Sequence, residues 1–153
     1  MLVIGRRDYL SLPKLGIENI QAKIDTGAYG CSLHCHEIEV IKKEGSEVLR
    51  FKLLDPKHPE YQDKFNYANE FREKIVKNTS GIPEHRFTIL TDILIFNNTY
   101  SLEFSLTDRA NMKYPILLGR KFLRNRFVVD VSLKNQSKRK KILIYENSSI
   151  IKK

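Results

Sequence analysis

Asp25 is the residue around which chemistry can be built in this chain. It follows an alternating run, Ile20-Gln21-Ala22-Lys23-Ile24, which reads as a half-buried strand, and it precedes Thr26-Gly27-Ala28. A strand that runs into Asp-Thr-Gly delivers a carboxylate to a tight turn. Gly27 permits the turn and Thr26 can hydrogen-bond beside it. A carboxylate presented in this way is a candidate general acid or base. An ordinary turn-forming Asp would look the same locally, so a second signal matters. Pro115-Ile116-Leu117-Leu118-Gly119-Arg120 is an apolar strand that ends in Gly just before a short helical stretch.

A second group of reactive side chains follows directly. Cys31, His34, Cys35 and His36 crowd into six residues. Period-two alternation puts Cys31, Leu33 and Cys35 on one face of a strand and Ser32, His34 and His36 on the other. One regular strand cannot aim all four at a tetrahedral centre. His34 and His36 would need His58 or His85 to complete a site. The expectation is therefore no metal, with buried thiols and a structural His. The two cysteines are also too far apart along an extended strand to form a disulfide. There is no His-Glu-x-x-His pattern and no Walker-type Gly-rich loop, so no cofactor is expected.

The elements that must position Asp25 are short strands. Leu2 to Leu12 reads as a strand interrupted at Gly5, and Leu12 to Ile17 as a turn broken by Pro13 and Gly16. Glu18 to Asp25 carries the acid. Ser32 to Ile41 and Glu47 to Leu54 flank a hairpin turn at Lys42 to Ser46. Asp55 to Phe71 reads as a surface insertion, where Tyr67, Phe71 and Ile75 fall four apart and permit a helical turn or two. Lys74 to Asn78 and Glu84 to Leu90 flank Thr79-Ser80-Gly81-Ile82-Pro83, a hairpin signal. Thr91 to Phe96 and Thr99 to Leu106 flank an Asn97-Asn98 turn. After a polar loop come a buried strand at Ile116 to Leu118, one helical turn at Arg120 to Arg124 and a strand at Phe127 to Val131. Ile142 to Tyr145 is a candidate last strand. Short strands at this spacing predict an all-β barrel or sandwich.

Composition bounds the rest. A chain of 153 residues with 41% apolar residues fits one globular domain with a modest core. No apolar stretch is long enough to span a membrane, and the first residues lack a signal-peptide pattern, so the expected location is cytoplasmic. Reduced thiols agree with that compartment. The formal charge is +9, and +6 of it falls after Val131, where seven Lys or Arg face one Glu. The expected organisation is a domain over residues 1–132 and a basic extension over 133–153 that carries the extra strand. Such a tail is a solvated segment or an attractor for an acidic partner. Only Tyr145 interleaves its charges, which argues against a single-stranded nucleic-acid module.

Taken together, the motifs resemble the retropepsin-like aspartic proteases, and more closely the bacterial RimB-type family. The resemblance rests on Ile4-Gly5-Arg6-Arg7, Leu12 to Ile17, Lys23 to Ala28, Ser32-Leu33-His34, Ser80-Gly81, Glu84 with Arg86, Pro115 to Phe122 and Val129 to Ser132. It implies an all-β closed acid-protease barrel with one short C-terminal helical turn. It also implies an aspartic endopeptidase in which Asp25, Thr26 and Gly27 are catalytic. Ala28, Gly81 and Arg86 are the substrate-binding candidates. The Lys77 to Arg86 hairpin would be a flap. Proteins of this type are also labelled ATP-dependent zinc proteases, a label with no counterpart among these residues.

Hydrolysis by this chemistry needs two facing carboxylates that hold one water and share one proton. The chain has one Asp-Thr-Gly; Asp92, Asp108 and Asp130 are not followed by Thr-Gly or Ser-Gly. A two-fold homodimer supplies the pair, with the same turn meeting its copy across the axis. By resemblance, Thr26 would brace the two turns and Gly27 would leave room for their approach. Arg120 resembles the Arg that supports the dimer, but its usual acidic partner is replaced here by Tyr29, so another partner must exist. RimB-type proteins are associated with trimming poly-glutamate, which Arg6, Arg7, Arg86 and Arg109 could help to hold. The expected partners are thus a second copy and a peptide or acidic polypeptide. Two other classes stay open: a non-catalytic dimeric β binding module, and a nucleic-acid binder acting through the basic tail.

Overall fold

The computed structural model describes residues 1–77, 80–108 and 113–146. Eleven strands and one short helix are assigned there: β1 Leu2–Ile4, β2 Arg7–Leu12, β3 Ile17–Ile24, β4 Cys31–Lys43, β5 Ser46–Leu53, β6 Asn66–Ala68, β7 Arg72–Lys77, β8 Pro83–Ile95, β9 Asn98–Thr107, β10 Ile116–Leu118, α1 Arg120–Leu123 and β11 Phe127–Val129.

Six of these strands close on themselves. The order β10-β3-β2-β8-β9-β4 returns to β10 through an antiparallel pair, which makes the all-β retropepsin-like barrel that the motifs predicted. Alternation explains the closure, because each strand turns every second side chain inward. Leu10 and Leu12 of β2, Ile20, Ala22 and Ile24 of β3, and Cys31, Leu33 and Cys35 of β4 face the interior. Ile89 and Ile93 of β8, with Phe104 and Leu106 of β9, join them there. β10 is buried at all three residues, as expected of a strand covered on both sides.

β4 serves two sheets. Its first residues pair in parallel with β9, and its second half pairs with β5, which in turn pairs with β6. The register shifts between His36 and Glu39, and Glu37 takes a φ of 50°. That irregularity bends the strand out of the barrel wall, as bulges do.

The insertion contains no helix among the described residues. Residues 66–68 are a strand instead, because the open edge of β5 offers them backbone partners, and 72–77 form the first arm of the hairpin that the sequence signalled from Lys74. Tyr67 and Ile75 are exposed, so the four-residue spacing of Tyr67, Phe71 and Ile75 builds no buried stripe. Residues 84–95 form one continuous strand, not two. The turn that follows falls on Phe96-Asn97, one residue before the expected Asn97-Asn98, with φ of 54° and 58° and Ile95 facing Asn98. A left-handed Phe is unfavourable on its own. Its ring is buried against Phe127 at 5.6 Å, in a cluster with Phe122 and Tyr100, and this packing selects the register.

Beyond β11 the chain folds back over β1 and β2. The Arg6 amide donates to the Leu133 carbonyl and the Asn135 amide to the Arg7 carbonyl. Asp8, fully buried, accepts from the Tyr9 amide, the Ser137 amide and the Ser137 hydroxyl. Gly5 is needed for this approach, since a Cβ there would lie 2.3 Å from the Leu133 carbonyl oxygen. β1 pairs in parallel with β11, and the expected last strand lies along it: Leu2 bridges to Ile144, the Val3 amide donates to the Leu143 carbonyl and the Tyr145 amide to the Met1 carbonyl. Among the described residues, no helix is long and apolar enough to cross a membrane.

Candidate active site

The Asp25 turn is built at the meeting of β3, β10 and β4. β10 runs parallel to β3, with Leu118 opposite Ile24, and antiparallel to β4. The Asp25 amide donates to the Leu118 carbonyl at 2.9 Å, and the Ile24 amide to the Arg6 carbonyl at 3.0 Å. The turn then closes on itself. The Ala28 amide donates to the Asp25 carbonyl at 3.2 Å, and the Gly27 amide donates to Asp25 Oδ1 at 2.9 Å. Asp25 Oδ1 is thereby fixed in direction. Asp25 and Ala28 are half-buried, while Thr26 and Gly27 are exposed at the rim.

Gly27 contributes space more than conformational freedom. It does not take a left-handed φ, but a Cβ there would meet Asp25 Oδ1 at 3.2 Å. A methyl group would press on the carboxylate that the Gly27 amide orients.

The rest of the loop is held by α1. The Arg120 amide donates to the Ala28 carbonyl and the Lys121 amide to the Tyr29 carbonyl, each at 2.8 Å. These are N-terminal helix amides that lack partners inside the helix. Gly119 sits where the loop carbonyls converge: a Cβ there would lie 2.2 Å from the Gly30 oxygen and 2.7 Å from those of Ala28 and Tyr29. Here Gly is demanded by backbone contact.

Arg120 has its partners within the same chain. Its Nη1 donates to the Thr26 carbonyl at 3.0 Å, and its guanidinium lies 5.9 Å from the centre of the Tyr29 ring. A carbonyl and an aromatic face together replace the missing carboxylate. The guanidinium thus ties the middle of the Asp25 turn to its far end.

The Gly81 and Arg86 candidates lie elsewhere in the chain, on the β7–β8 hairpin. Lys77 faces Pro83 across it, as the hairpin signal required. Gly81 takes a φ of 78°, a left-handed value that suits Gly at a tip, and Ile82 beside it is exposed. Arg86 is exposed and pairs with Glu84 of its own strand at 3.4 Å. Among the described residues, no hydrogen bond or ion pair joins Gly81 or Arg86 to the Asp25 turn. Asn78, Thr79 and Arg109 lie outside the described residues.

The Cys and His side chains diverge. Cys31 and Cys35 are free thiols inside the barrel, and burial pushes both up from the ordinary thiol value, Cys35 strongly. His34, 2% exposed, has Nε2 2.7 Å from Asp55 and Nδ1 3.4 Å from the Thr107 carbonyl. His36 Nε2 instead meets the Tyr61 hydroxyl at 3.2 Å. Burial acts to raise the Asp55 pKa, but the Lys57 amide and His34 outweigh it and hold the carboxyl below its usual range. Among the described residues, no three His, Cys, Asp or Glu side chains gather closely enough to hold a metal ion.

Sequence reasoning missed a basic corner beside this turn. Tyr29, Lys121, Arg124, Asn125 and Arg126 line a cavity of about 410 Å³. The signal was present as four cations within Arg120 to Arg126, beside a larger charge excess after Val131.

Comparison with known proteins agrees with this geometry. The model of the family described as RimB-like, retropepsin-like aspartic endopeptidase RimB, matches residues 3–140. A Desulfotalea psychrophila protein named probable alpha-L-glutamate ligase is 32% identical over 135 residues, covering 86% of this chain and 28% of that protein. A Shewanella pealeana protein of the same name is 33% identical, with 85% and 28% covered. The chain thus spans just over a quarter of the length of these curated relatives. A solved Legionella pneumophila structure of unknown function superposes with a TM-score of 0.66 at 26% identity, covering 90% of this chain and 98% of that one. This chain belongs to the RimB-like family of retropepsin-like aspartic endopeptidases.

Proposed function

We propose that the chain is an aspartic endopeptidase that works as a homodimer and hydrolyses peptide bonds in poly-glutamate or similarly acidic segments. The observation that carries this reading is the Asp25 turn. One carboxylate is oriented by the Gly27 amide, set against Leu118 and braced from below by α1, in a barrel with one such motif. In a two-fold dimer the two Asp25 carboxylates share a proton. One takes a proton from the water between them as the other donates to the scissile carbonyl. The exposed Thr26 and Gly27 meet their copies, and the β7–β8 hairpin, tipped by Gly81, covers the bound peptide with Arg86 on its arm. Ala28 lines the cleft behind Asp25.

The substrate class is supported by the relatives. Proteins named probable alpha-L-glutamate ligase contain this same domain as about a quarter of their length, so a glutamate polymer is the natural candidate for hydrolysis. Arg6 and Arg7, whose backbones flank Ile24 and Lys23, add positive charge near the turn.

The deciding experiment compares kcat/KM on oligoglutamate and on a neutral peptide of equal length, for wild type and Asp25→Asn. Wild type should prefer the acidic substrate, and Asp25→Asn should lose at least about 10³-fold while remaining folded and dimeric by sedimentation. Undiminished cleavage by Asp25→Asn, or a strictly monomeric active species, refutes the mechanism. Equal cleavage of both peptides refutes the substrate class.

A further inference from the structure

From the corner between α1 and β11 we infer a second binding site: a cationic subsite, centred on Lys121 and Arg124 and framed by Arg126 and Tyr29, that grips side-chain carboxylates of an acidic polypeptide away from the scissile bond. The inference rests on the reading of the chain as a peptidase of acidic segments and adds to it a place where the substrate is held.

The cavity, about 410 Å³, is lined by Tyr29, Lys121, Arg124, Asn125 and Arg126. All five side chains can donate hydrogen bonds and none is acidic. Among the described residues, neither Lys121 nor Arg124 makes an ion pair with a carboxylate, whereas Arg50, Arg72, Arg86 and Lys52 all do. Two exposed cations facing one cavity with no internal counter-charge favour an anion from outside. A guanidinium matches a carboxylate with two parallel bonds, so Arg124 suits a glutamate side chain better than a lone point charge would.

Arg126 is fixed in place. Its Nη1 donates to the Phe122 carbonyl at 2.9 Å, and its guanidinium lies 5.4 Å from the Phe122 ring centre and 5.6 Å from that of Tyr100. A cation held by two aromatic faces loses little freedom when an anion arrives.

The subsite is coupled to the Asp25 turn through Tyr29. The Lys121 amide donates to the Tyr29 carbonyl, and the Tyr29 ring lies against Arg120, which bonds Thr26. Tyr29 is the fourth residue after Asp25, so the two Cα atoms lie no more than about 14 Å apart. An extended substrate rising about 3.4 Å per residue reaches the cavity within roughly four residues of the bond to be cut. A polymer with a carboxylate on every residue presents one there in any register.

The test uses the Asp25→Asn chain, so that binding is read without cleavage. A fluorescent ten-residue oligoglutamate is titrated by anisotropy at low and high salt, against Asp25→Asn carrying Lys121→Gln and Arg124→Gln. The expected result is affinity about tenfold weaker for the pocket variant at low salt, a gap that narrows at high salt, and an unchanged thermal midpoint. Lys140→Gln with Lys141→Gln, in the basic extension, should leave affinity within twofold. Equal affinity of the pocket variant and its parent overturns the subsite. So does a loss in the extension variant as large as in the pocket variant, or tighter binding of a polyphosphate or RNA of matched charge. In otherwise wild-type enzyme, Lys121→Gln with Arg124→Gln should raise KM for oligoglutamate with little change in kcat. If wild type cleaves nothing but the binding difference persists, the subsite stands and the peptidase reading falls.

Discussion

Gly119→Ala is the sharpest perturbation of the Asp25 turn that leaves the acid itself in place. The new methyl carbon would sit 2.2 Å from the Gly30 oxygen and 2.7 Å from the Ala28 and Tyr29 oxygens. Even to reach 3.0 Å from Gly30, loop and helix must separate by about 0.8 Å, in an interior with little free volume. That separation lengthens the two 2.8 Å bonds from the Arg120 and Lys121 amides to the Ala28 and Tyr29 carbonyls. Overpacking costs about 1–3 kcal/mol, and each of the two weakened bonds adds about 0.5–1 kcal/mol, so destabilisation of about 2–5 kcal/mol is expected. In the proposed dimer the same shift would move the carboxylate relative to its copy, and a displacement near 1 Å costs about 10²-fold in rate. Urea denaturation gives the first number and kcat/KM on oligoglutamate gives the second. A Gly119→Ala protein within about 0.5 kcal/mol of wild type, with undiminished kcat/KM, would refute the claim that α1 sets the geometry of the turn.

The remaining predictions concern the supports around the barrel. Asp8→Ala removes the buried acceptor of the Tyr9 amide and of both Ser137 donors, and should cost about 2–4 kcal/mol in denaturation while exposing residues 133–146 to limited proteolysis; a protein as stable and protease-resistant as wild type would count against the tie. Asp55 has a folded-state pKa below its unfolded value, so the stability it contributes is fully present above the unfolded value near pH 4 and is lost as pH falls through the lower folded value. Thermal midpoints between pH 6 and pH 2 should therefore converge for wild type and Asp55→Asn at the acid end, and parallel curves would contradict the assignment.

Much of the barrel was legible because its strands alternate strictly and are separated by Gly, Pro and Asn. The Asp25 turn and the β10–Gly119–α1 unit were legible as motifs whose residue types are dictated by backbone contact. What stayed hidden depended on tertiary partners. Phe96 adopts a left-handed turn because Phe127 packs on it, which no local preference encodes. The strand at 66–68 exists because β5 presents an open edge, while its own side chains are half or fully exposed and follow no clean period. The partners of Arg120 could not be read from the sequence, since a carbonyl oxygen belongs to every residue and only the fold selects Thr26. The basic corner was visible as a charge density, but its concavity comes from α1 meeting the turn into β11.

Closure of the six-stranded ring also determines where the protein is exposed to misassembly. A ring has no terminal strand, and among the described residues β6 and the outer side of β7 lie at the edges of the sheet outside it. β6 is three residues long, too short to template a stable intruder. β7 carries Arg72, Glu73 and Lys74 beside its exposed Ile75, and an identical strand docking in register would bring like charges together. The arm proposed to cover the substrate is thereby the same arm whose charge pattern discourages fibre-like stacking.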